Sequence, residues 1–401
     1  MKSWEEYLNP QVASLPPSGI RRFFDLAAEM TGVISLGVGE PDFVTPWRIR
    51  EACIYALERG YTMYTSNRGM KELRVAIARY LEDAFKLRYD PEKEILVTVG
   101  VSEALDLALR ALLKPGDEVL IPDPAYVSYV PCTVLAGGVP VLLPTRMEEG
   151  FKITAEQVEK AATPRTKVLL LAYPNNPTGA VLNRRELGEI AEVVKARDLL
   201  VISDEIYAQL TYEGEHVSIA SLPGMRERTV VLQGFSKAFA MTGWRLGYAA
   251  GNETFIGAMT KIHQYTMLCA PITAQMAALE ALKNGLEDMR QMVAQYAYRR
   301  RLVVNAFKEM GLPCPEPKGA FYAFPYVGGT GLSEEEFCEK LLLEEKVAVV
   351  PGTAFGPSGR GHIRCSFAAS VKDLTEAFRR MKEFLRRHGV KGRPSVVVLG
   401  K

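Results

Sequence analysis

Lys237 is the residue of this 401-residue chain whose surroundings most clearly suggest chemistry. It follows an apolar run at 229–232, small residues surround it, and Arg245 comes eight positions later. The end of a strand would fix the lysine in space, and its small neighbours would let a bulky group approach. Arginine adds a forked, permanent charge for an anionic group. These features suit a lysine that holds a phosphorylated aldehyde as a Schiff base. The alternative is an exposed loop lysine, but the apolar flanks favour a desolvated one with a lowered pKa.

Other polar residues also come shortly after apolar runs, where ligands bind in open α/β sheets. Asp204 could pair with a protonated pyridine nitrogen and keep such a ring cationic. Asn176 could hydrogen-bond a ring hydroxyl, and Tyr126 could stack on an aromatic ring. Tyr207, three residues after Asp204, could reach the same ligand. The structural alternatives are a helix cap or surface turn for Asp204, a plain turn for Asn176 and core packing for the tyrosines.

Two further positions suit anions. Val101 and Ser102 stand at the predicted start of a helix, where backbone N–H groups and the helix dipole favour a phosphate. Ser102 could instead be only the N-cap of that helix. Arg364 lies inside an apolar, strand-like run and needs a partner there. That partner is either a carboxylate of the protein or the carboxylate of a substrate.

The middle of the chain alternates short apolar runs with helical patterns, which predicts an α/β fold. Several runs are apolar throughout, so we expect a mainly parallel sheet with helices on both faces. The predicted strands are 95–99, 118–121, 140–143, 168–172, 200–203, 229–232 and 246–250. The predicted helices include 102–113, 184–197 with Asn183 as its cap, and 289–310.

The two ends of the chain predict a second, smaller α+β domain. Residues 1–45 are rich in loop signals, and the C-terminal part predicts helices at 334–344 and 372–388 with strands at 347–350 and 363–367. We therefore expect a large domain at 46–285 and a small domain built from 1–45 and 286–401. The segment 394–401 has no assignment.

Composition excludes several classes of function. The net charge of +2, with 48% apolar and 24% charged residues, is that of an ordinary globular protein and gives no reason to expect nucleic acid or a membrane as partner. The six cysteines are scattered, and the four histidines show no metal-ligand spacing, so we expect no metal. The charged N-terminal residues 1–10 lack an apolar stretch of signal-peptide length, which makes the cytoplasm the expected location.

Taken in order, these segments resemble the pyridoxal-phosphate-dependent class I and II aminotransferases of fold type I, over about residues 20 to 390. The resemblance implies a mainly parallel seven-stranded sheet, pyridoxal 5′-phosphate as cofactor, and ping-pong transfer of an amino group from an L-amino acid to a 2-oxo acid. It is closest to the bacterial and archaeal subgroup of aspartate, aromatic, alanine and N-acetyl-diaminopimelate enzymes. The motifs that carry it are Ser-Leu-Gly-Val-Gly-Glu-Pro-Asp at 35–42, Tyr-Thr-Ser-Asn-Arg-Gly at 64–69, Asn-Pro-Thr-Gly at 176–179, Asp-Glu-Ile-Tyr at 204–207, the lysine segment 234–247 and the strand of Arg364.

The resemblance also implies roles for individual residues. Lys237 would bind the cofactor and shuttle the proton of the substrate Cα. The other residues expected to contact the cofactor are Asp204 at the pyridine nitrogen, Asn176 and Tyr207 at the ring hydroxyl, Tyr126 on the ring face, and Arg245, Ser102 and the amides of 101–102 at the phosphate.

Substrate binding and assembly are implied in the same way. Arg364 and Asn176 would bind the substrate α-carboxylate, and Gly39 would approach it closely. Tyr64 would reach the phosphate of a neighbouring subunit, which implies a homodimer with shared active sites. The Asp123–Pro124 and Asn176–Pro177 peptide bonds are expected to be cis.

Two departures from the aspartate enzymes leave the substrate open. Gly234 stands where those enzymes have a phosphate-binding serine, and Ser236 is the candidate to replace its hydroxyl. A second arginine for a dicarboxylate side chain is not identifiable. The alternatives to a transaminase are a β-lyase or other amino-acid-transforming enzyme on the same scaffold and, from another class, an aminotransferase-like ligand-sensing regulator.

Overall fold

A computed structural model describes residues 4–17 and 30–389 of the chain. Its strands, in chain order, are β1 Ile34–Ser35, β2 Ile95–Thr98, β3 Glu118–Asp123, β4 Val139–Pro144, β5 Thr166–Leu171, β6 Leu200–Asp204, β7 Thr229–Gly234, β8 Gly247–Ala250, β9 Tyr322–Ala323, β10 Val347–Ala348, β11 Val350–Pro351 and β12 Ile363–Ser366.

Seven strands form the central sheet, in the order β2-β8-β7-β6-β5-β3-β4. All seven strands predicted from the apolar runs are present in it. Only β8 runs antiparallel to its neighbours β2 and β7, and the other pairs are parallel. The predicted α/β fold with a mainly parallel sheet is therefore confirmed.

The α-helices of the described residues flank this sheet or belong to the terminal parts of the chain. They are α1 Pro10–Ala13, α2 Trp47–Glu58, α3 Lys71–Phe85, α4 Gly100–Leu112, α5 Tyr129–Leu135, α6 Ala155–Ala161, α7 Arg184–Ala196, α8 Glu253–Thr266, α9 Ile272–Asn284, α10 Leu286–Glu309, α11 Glu334–Glu345 and α12 Val371–Arg387.

The predicted helices are found with small shifts of their ends, and the cap of α7 is confirmed. The Asn183 side chain accepts the N–H of Glu186, and the Glu186 carboxylate accepts the N–H of Asn183. This reciprocal pair satisfies two backbone donors that a helix start would otherwise leave free, which explains why α7 begins there.

The central strands are apolar throughout because both faces of the sheet are covered. In β3, Leu120 packs in one buried cluster while Val119 and Ile121 pack in another. Alternate side chains of a strand point to opposite faces, so a strand with helices on both sides buries every residue. Each such side chain contributes about 1.5–3 kcal/mol when fully buried. The sheet is thereby a rigid support for the residues at its edge.

Two small sheets lie outside the central one. β1 pairs in parallel with β10, and β12 lies between β11 and β9 with antiparallel pairing. The predicted strand at 347–350 is thus two strands, because Val347 pairs with Ile34 while Val350 pairs with Arg364. The β1–β10 pairing joins the N-terminal and C-terminal parts of the chain, and the domain boundaries at 45/46 and 285/286 stay a prediction.

No helix among the described residues is long and apolar enough to cross a membrane. The cytoplasmic location and the lack of a nucleic-acid partner stay predictions. The segment 394–401, which the sequence left unassigned, lies outside the described residues.

Candidate active site

A cleft of about 520 Å³ opens at the carboxyl ends of the parallel strands β3, β5, β6 and β7. This volume lies in the range of small-molecule and cofactor sites. The cleft gathers all the predicted site residues except Tyr64. Those that line it are Gly39, Val101, Ser102, Tyr126, Asn176, Asp204, Tyr207, Ser236, Lys237, Arg245 and Arg364.

Lys237 follows β7 and reaches the cleft with most of its side chain enclosed by protein. Its Nζ donates a hydrogen bond to the carbonyl oxygen of Gly39 at 2.6 Å. Burial lowers the lysine pKa to about 8, and the positive charges of Arg364 and Arg245 act in the same direction against Glu40 and Asp204. A surface-loop lysine is therefore the wrong interpretation, and the amine has a substantial unprotonated fraction near neutral pH.

Asp204 is the last residue of β6 and is 6% exposed. Its Oδ2 accepts a hydrogen bond from the hydroxyl of Tyr129 at 2.8 Å, and its Oδ1 accepts the N–H of Ile206 at 3.2 Å. Burial raises the pKa of this carboxyl to about 6, and the Tyr129 hydroxyl is the largest influence in the other direction. The surface-turn and helix-cap alternatives are wrong, because the carboxylate is buried and faces the cleft.

Arg364 projects from β12 and is 3% exposed. Its Nη1 donates to Asn176 Oδ1 at 2.9 Å and its Nη2 donates to the Gly37 carbonyl at 2.6 Å. The guanidinium lies over the rings of Tyr322 and Phe355, 4.4 and 4.6 Å from their centroids.

This buried charge has no counter-ion within residues 4–17 and 30–389. Among the described residues no carboxylate forms an ion pair with Arg364, and its Nε has no hydrogen-bond partner. The structural salt bridge that the sequence left open is therefore not formed. A buried cation without a counter-ion is costly, so this guanidinium is suited to receive an anion in the cleft.

Tyr207 and Tyr322 form a buried pair beside Arg364. Their hydroxyl oxygens are 2.8 Å apart, and either can donate. Tyr207 packs against Phe321 and Tyr322 like a core aromatic, yet its side chain also lines the cleft. Gly39 leaves room for this pair, since a Cβ added there would collide with the Tyr322 hydroxyl.

The opposite end of the cleft is the start of α4. Gly100 is the first residue of the helix and has φ +76°, and a Cβ on it would lie 2.9 Å from Arg245 Nη2. The N-cap position belongs to Val99, so Ser102 is inside the first turn and the N-cap interpretation of Ser102 is wrong. Backbone amides of a helix start and a guanidinium thus meet at one place, an arrangement that suits an anion.

Gly234 and Gly247 let the strands approach this helix. A Cβ at Gly234 would lie 3.0 Å from Gly247 Cα, from the Leu246 oxygen and from Val101 Cγ2. A serine therefore does not fit at 234 without displacement of backbone. Ser236 lines the cleft, and its hydroxyl has no protein hydrogen bond in the described part of the chain.

The two remaining predicted tyrosines differ in position. Tyr126 lines the cleft, with its ring edge-on to Tyr129 at 5.5 Å. Tyr64 is 82% exposed and outside the cleft of its own chain. Gln275 anchors the segment after it. The Gln275 amide oxygen accepts the N–H of Met70, and its amide nitrogen donates to the Thr65 hydroxyl.

The sequence missed Tyr129 and one backbone feature. Tyr129 follows Tyr126 by three residues at the start of α5, but an isolated tyrosine carries no signal that it will meet Asp204. Both expected cis bonds, Asp123–Pro124 and Asn176–Pro177, are present, together with an unexpected one at Tyr173–Pro174.

Comparison with known proteins places this geometry in a family. Residues 31–381 match the family described as aminotransferase class I and II. The chain belongs to this family. It is 58% identical over 379 residues to a putative aminotransferase, YugH, of Bacillus subtilis, with 94% of this chain and 98% of that protein covered. It is 49% identical to an aspartate aminotransferase of Pyrococcus abyssi, with 92% and 96% covered.

A solved structure agrees with the sequence relatives. The aromatic aminotransferase of Pyrococcus horikoshii superposes with a TM-score of 0.88 at 45% identity, covering 93% of this chain and all of that one. The predicted fold type and the bacterial and archaeal subgroup are therefore confirmed, and this aminotransferase is an enzyme of amino-group transfer between amino and oxo acids. Pyridoxal 5′-phosphate is the family's cofactor.

The charges that line the cleft bear on the substrate. Within residues 4–17 and 30–389, its basic side chains are Lys237, Arg245 and Arg364. None is left over for a second carboxylate once a Schiff base, a phosphate and an α-carboxylate are each assigned one. Within the described residues, the lining of this cleft therefore shows no second arginine of the kind expected for a dicarboxylate.

Proposed function

We propose that this protein transfers the amino group of an L-amino acid to a 2-oxo acid such as 2-oxoglutarate, with pyridoxal 5′-phosphate held on Lys237. The observation that carries the proposal is the enclosed Lys237, whose pKa is lowered to about 8 in a cleft that also holds Asp204 and an unpaired Arg364. A lysine that is partly unprotonated near neutral pH is a nucleophile, and the other two residues supply opposite charges at defined places.

The residues of the cleft fit the cofactor at each of its functional groups. The amine of Lys237 suits the aldehyde, the start of α4 with Arg245 suits the phosphate, and the buried Asp204 suits a protonated ring nitrogen. The orphaned Nε of Arg364 is left for the substrate. When bound, the cofactor supplies an aldehyde that condenses with amines and a cationic ring that accepts electrons from a carbanion.

Asp204 has the task of keeping the ring nitrogen protonated. Hydrogen bonds from the Tyr129 hydroxyl and from the N–H of Ile206 hold its carboxylate in place at the cleft. Asn176, Tyr207 and Tyr126 line the same cleft. The first two would donate hydrogen bonds to the ring hydroxyl of the cofactor, and Tyr126 would stack on the ring.

At the other end, the amides of 101–102, the Ser102 hydroxyl and Arg245 bind the phosphate. The guanidinium is held by donation of Nη1 to the Thr242 carbonyl at 3.0 Å, so its remaining donors can face the anion. Ser236 supplies a hydroxyl for the phosphate. A serine at position 234 could not do so, because the backbone around Gly234 leaves no space for its side chain.

Arg364 binds the substrate α-carboxylate in the forked geometry that guanidinium and carboxylate share. Asn176 already accepts from its Nη1 and can donate its amide N–H to the same carboxylate. Gly39, without a side chain, lets the substrate approach. Once the substrate amine had replaced Lys237 on the cofactor aldehyde, Lys237 Nζ would be free to take the proton from the substrate Cα. Each half of the reaction reuses these residues, in a ping-pong sequence.

The active unit we propose is a homodimer with shared active sites. Tyr64 is largely exposed and does not line the cleft of its own chain, which supports the role of reaching the phosphate of a neighbouring subunit. Other large apolar side chains are also strongly exposed, as a surface awaiting a partner would be. They are Trp47 at 57%, Tyr61 at 46%, Met63 at 77% and Tyr265 at 86%.

The first experiment is spectroscopic. Purified protein should show an absorption band of bound cofactor in the near-ultraviolet or visible range, and Lys237→Ala should lose that band and its activity. The matched control is Lys283→Ala, an exposed lysine at the end of α9, which should keep both. A wild-type protein without the band, together with a fully active Lys237→Ala variant, would refute the proposal.

The second experiment separates the reactions. Aspartate, alanine, phenylalanine, tyrosine and N-acetyl-diaminopimelate are each offered with 2-oxoglutarate, and glutamate formation is measured. Glutamate is offered with oxaloacetate instead, and 2-oxoglutarate formation is measured, because glutamate and 2-oxoglutarate would only exchange with each other. Pyruvate and ammonia formed without an acceptor would identify a β-lyase instead. Binding of an amino acid without any turnover would identify a ligand-sensing regulator. We expect turnover with a preference among the donors.

A further inference from the structure

The first turn of α4 is held by two side chains, the partly buried Glu103 and the fully buried His263. Glu103 Oε2 accepts the N–H of Val99 at 2.5 Å, and Glu103 Oε1 lies 2.6 Å from His263 Nδ1. An ionised carboxylate can only accept, so His263 Nδ1 carries the hydrogen. The imidazole, on α8, is fully buried, and its Nε2 has no hydrogen-bond partner in the described part of the chain.

The other side of the same turn is the anion site. Val101 and Ser102 line the cleft there, and the guanidinium of Arg245 lies against Gly100. The partial positive charge of a helix start stabilises an anion near it. A free carboxylate in that turn would compete for this stabilisation and repel a bound phosphate. The charge and direction of Glu103 therefore bear on any anion held at α4.

Packing alone does not explain the pair. Burying a polar atom without a hydrogen-bond partner is costly, and His263 Nε2 has none in the described part of the chain. A fully buried histidine is thus an expensive way to fill space between α4 and α8. Its place, directly behind the turn that meets the cleft, gives it a reason.

We propose that His263 is a positioning residue that sets the affinity for the cofactor phosphate, by holding the Glu103 carboxylate with a hydrogen bond so that it does not turn toward the cleft. The proposal rests on the proposed function, because the phosphate is that of pyridoxal 5′-phosphate. It makes Glu103 a group whose direction must be fixed, and its removal together with His263 should be tolerated.

The test compares two ligands that differ only in the phosphate. Apo forms of the full-length wild type, His263→Leu, Glu103→Gln and the double variant are titrated with pyridoxal 5′-phosphate and with pyridoxal. His263→Leu should bind the phosphorylated ligand about tenfold more weakly, with pyridoxal changed less than about threefold. Glu103→Gln and the double variant should both stay within about threefold of wild type for either ligand.

A merely structural role for the pair predicts other results. Equal losses for both ligands in His263→Leu, or a double variant as weak as the single one, would overturn the proposal. His216→Leu is the matched control, since His216 also contacts a buried carboxylate, Glu205, at 2.9 Å, but away from α4. It should leave the ratio of the two affinities unchanged.

Two further arms keep the test decisive. If His263→Leu does not fold, His263→Met replaces it, because its flexible apolar side chain fits irregular spaces and donates no hydrogen bond to Glu103, and the same selective loss is expected. An unchanged ratio in that variant would overturn the proposal. A wild type that binds neither ligand would instead refute the proposed function.

Discussion

Replacing Tyr129 by phenylalanine should raise the pKa of Asp204. The Tyr129 hydroxyl donates to Asp204 Oδ2 at 2.8 Å in a buried environment and stabilises the ionised form. A hydrogen bond to a charged acceptor contributes about 1.5–3 kcal/mol, and 1.36 kcal/mol corresponds to one pKa unit. Loss of the hydroxyl should therefore move the pKa of Asp204 upward by about one to two units. The starting point in the wild type is about 6.

The consequence is a changed pH dependence of cofactor binding, since only ionised Asp204 can pair with a protonated ring nitrogen. Binding weakens as pH falls through the pKa of Asp204, and this decline should begin at higher pH in the variant. The wild-type affinity divided by the variant affinity should be near one at about pH 9 and approach about 10 to 100 at low pH.

The assay is equilibrium titration of the apo proteins with pyridoxal between about pH 5 and 9. Pyridoxal lacks the phosphate, whose own ionisation would otherwise complicate the curve, and the titration of Lys237 cancels in the ratio. Tyr248→Phe is the control, because this buried tyrosine donates to the amide oxygen of Gln233 at 2.9 Å and not to a carboxylate. A ratio for Tyr129→Phe that is independent of pH would refute the reasoning.

Stability gives an independent check of the sign. The folded-state pKa of Asp204 lies above the value of about 3.9 for an unfolded chain, so this group stabilises the apo protein at low pH. That contribution is lost as pH rises through the folded-state value of about 6. Tyr129→Phe leaves a charged group less satisfied at high pH, so urea unfolding should show a larger loss at about pH 8 than at about pH 5.

Three further experiments test other parts of the site. Competitive acetylation of the apo protein should show that the reactivity of Lys237 reaches half of its maximum near pH 8, because burial lowers its pKa to about 8. A half-maximum near the pKa of exposed lysines, about 10.4, would contradict this. Arg364→Lys should lower kcat/KM for an amino donor by about 10- to 150-fold through loss of the forked contact, while affinity for pyridoxal 5′-phosphate changes less than about threefold; equal loss of both would show that Arg364 acts on folding. Gly234→Ser should lower the free energy of unfolding, measured by urea denaturation, by about 1–3 kcal/mol. The reason is that the added Cβ would lie only 3.0 Å from three neighbouring atoms. Unchanged stability would mean that the backbone there shifts to make room.

The apolar runs predicted the central sheet because their information is local. A strand covered on both faces needs apolar side chains at every position, and this pattern is visible without any knowledge of its partners. The prediction from local pattern was wrong at 347–350, where a single apolar run contributes strands to two different sheets. Val347 pairs with Ile34 and Val350 with Arg364, and only the distant partners decide where the strand breaks.

The functional site shows the same difference between what a local sequence pattern predicts and what contacts with distant residues decide. That Lys237, Asp204 and Asn176 meet in one cleft follows from their places at the ends of parallel strands. That Arg364 contacts Asn176, 188 residues away, has no local signal and required the order of the small sheets around β12. Tyr129 was missed for this reason, since its contact with Asp204 depends on how α5 packs beside β6.

The sequence by itself determined the kinds of residues, their order along the chain and the strands that carry them. Those are properties of neighbouring residues and of periodicity. The lowered pKa of Lys237 was suggested by its apolar flanks and confirmed by its burial in the fold. Only the tertiary structure decided the raised pKa of Asp204 and showed that Arg364 has no counter-ion among the described residues. These depend on burial and on charges brought together from distant segments, and desolvation acts only once the chain has folded around the group.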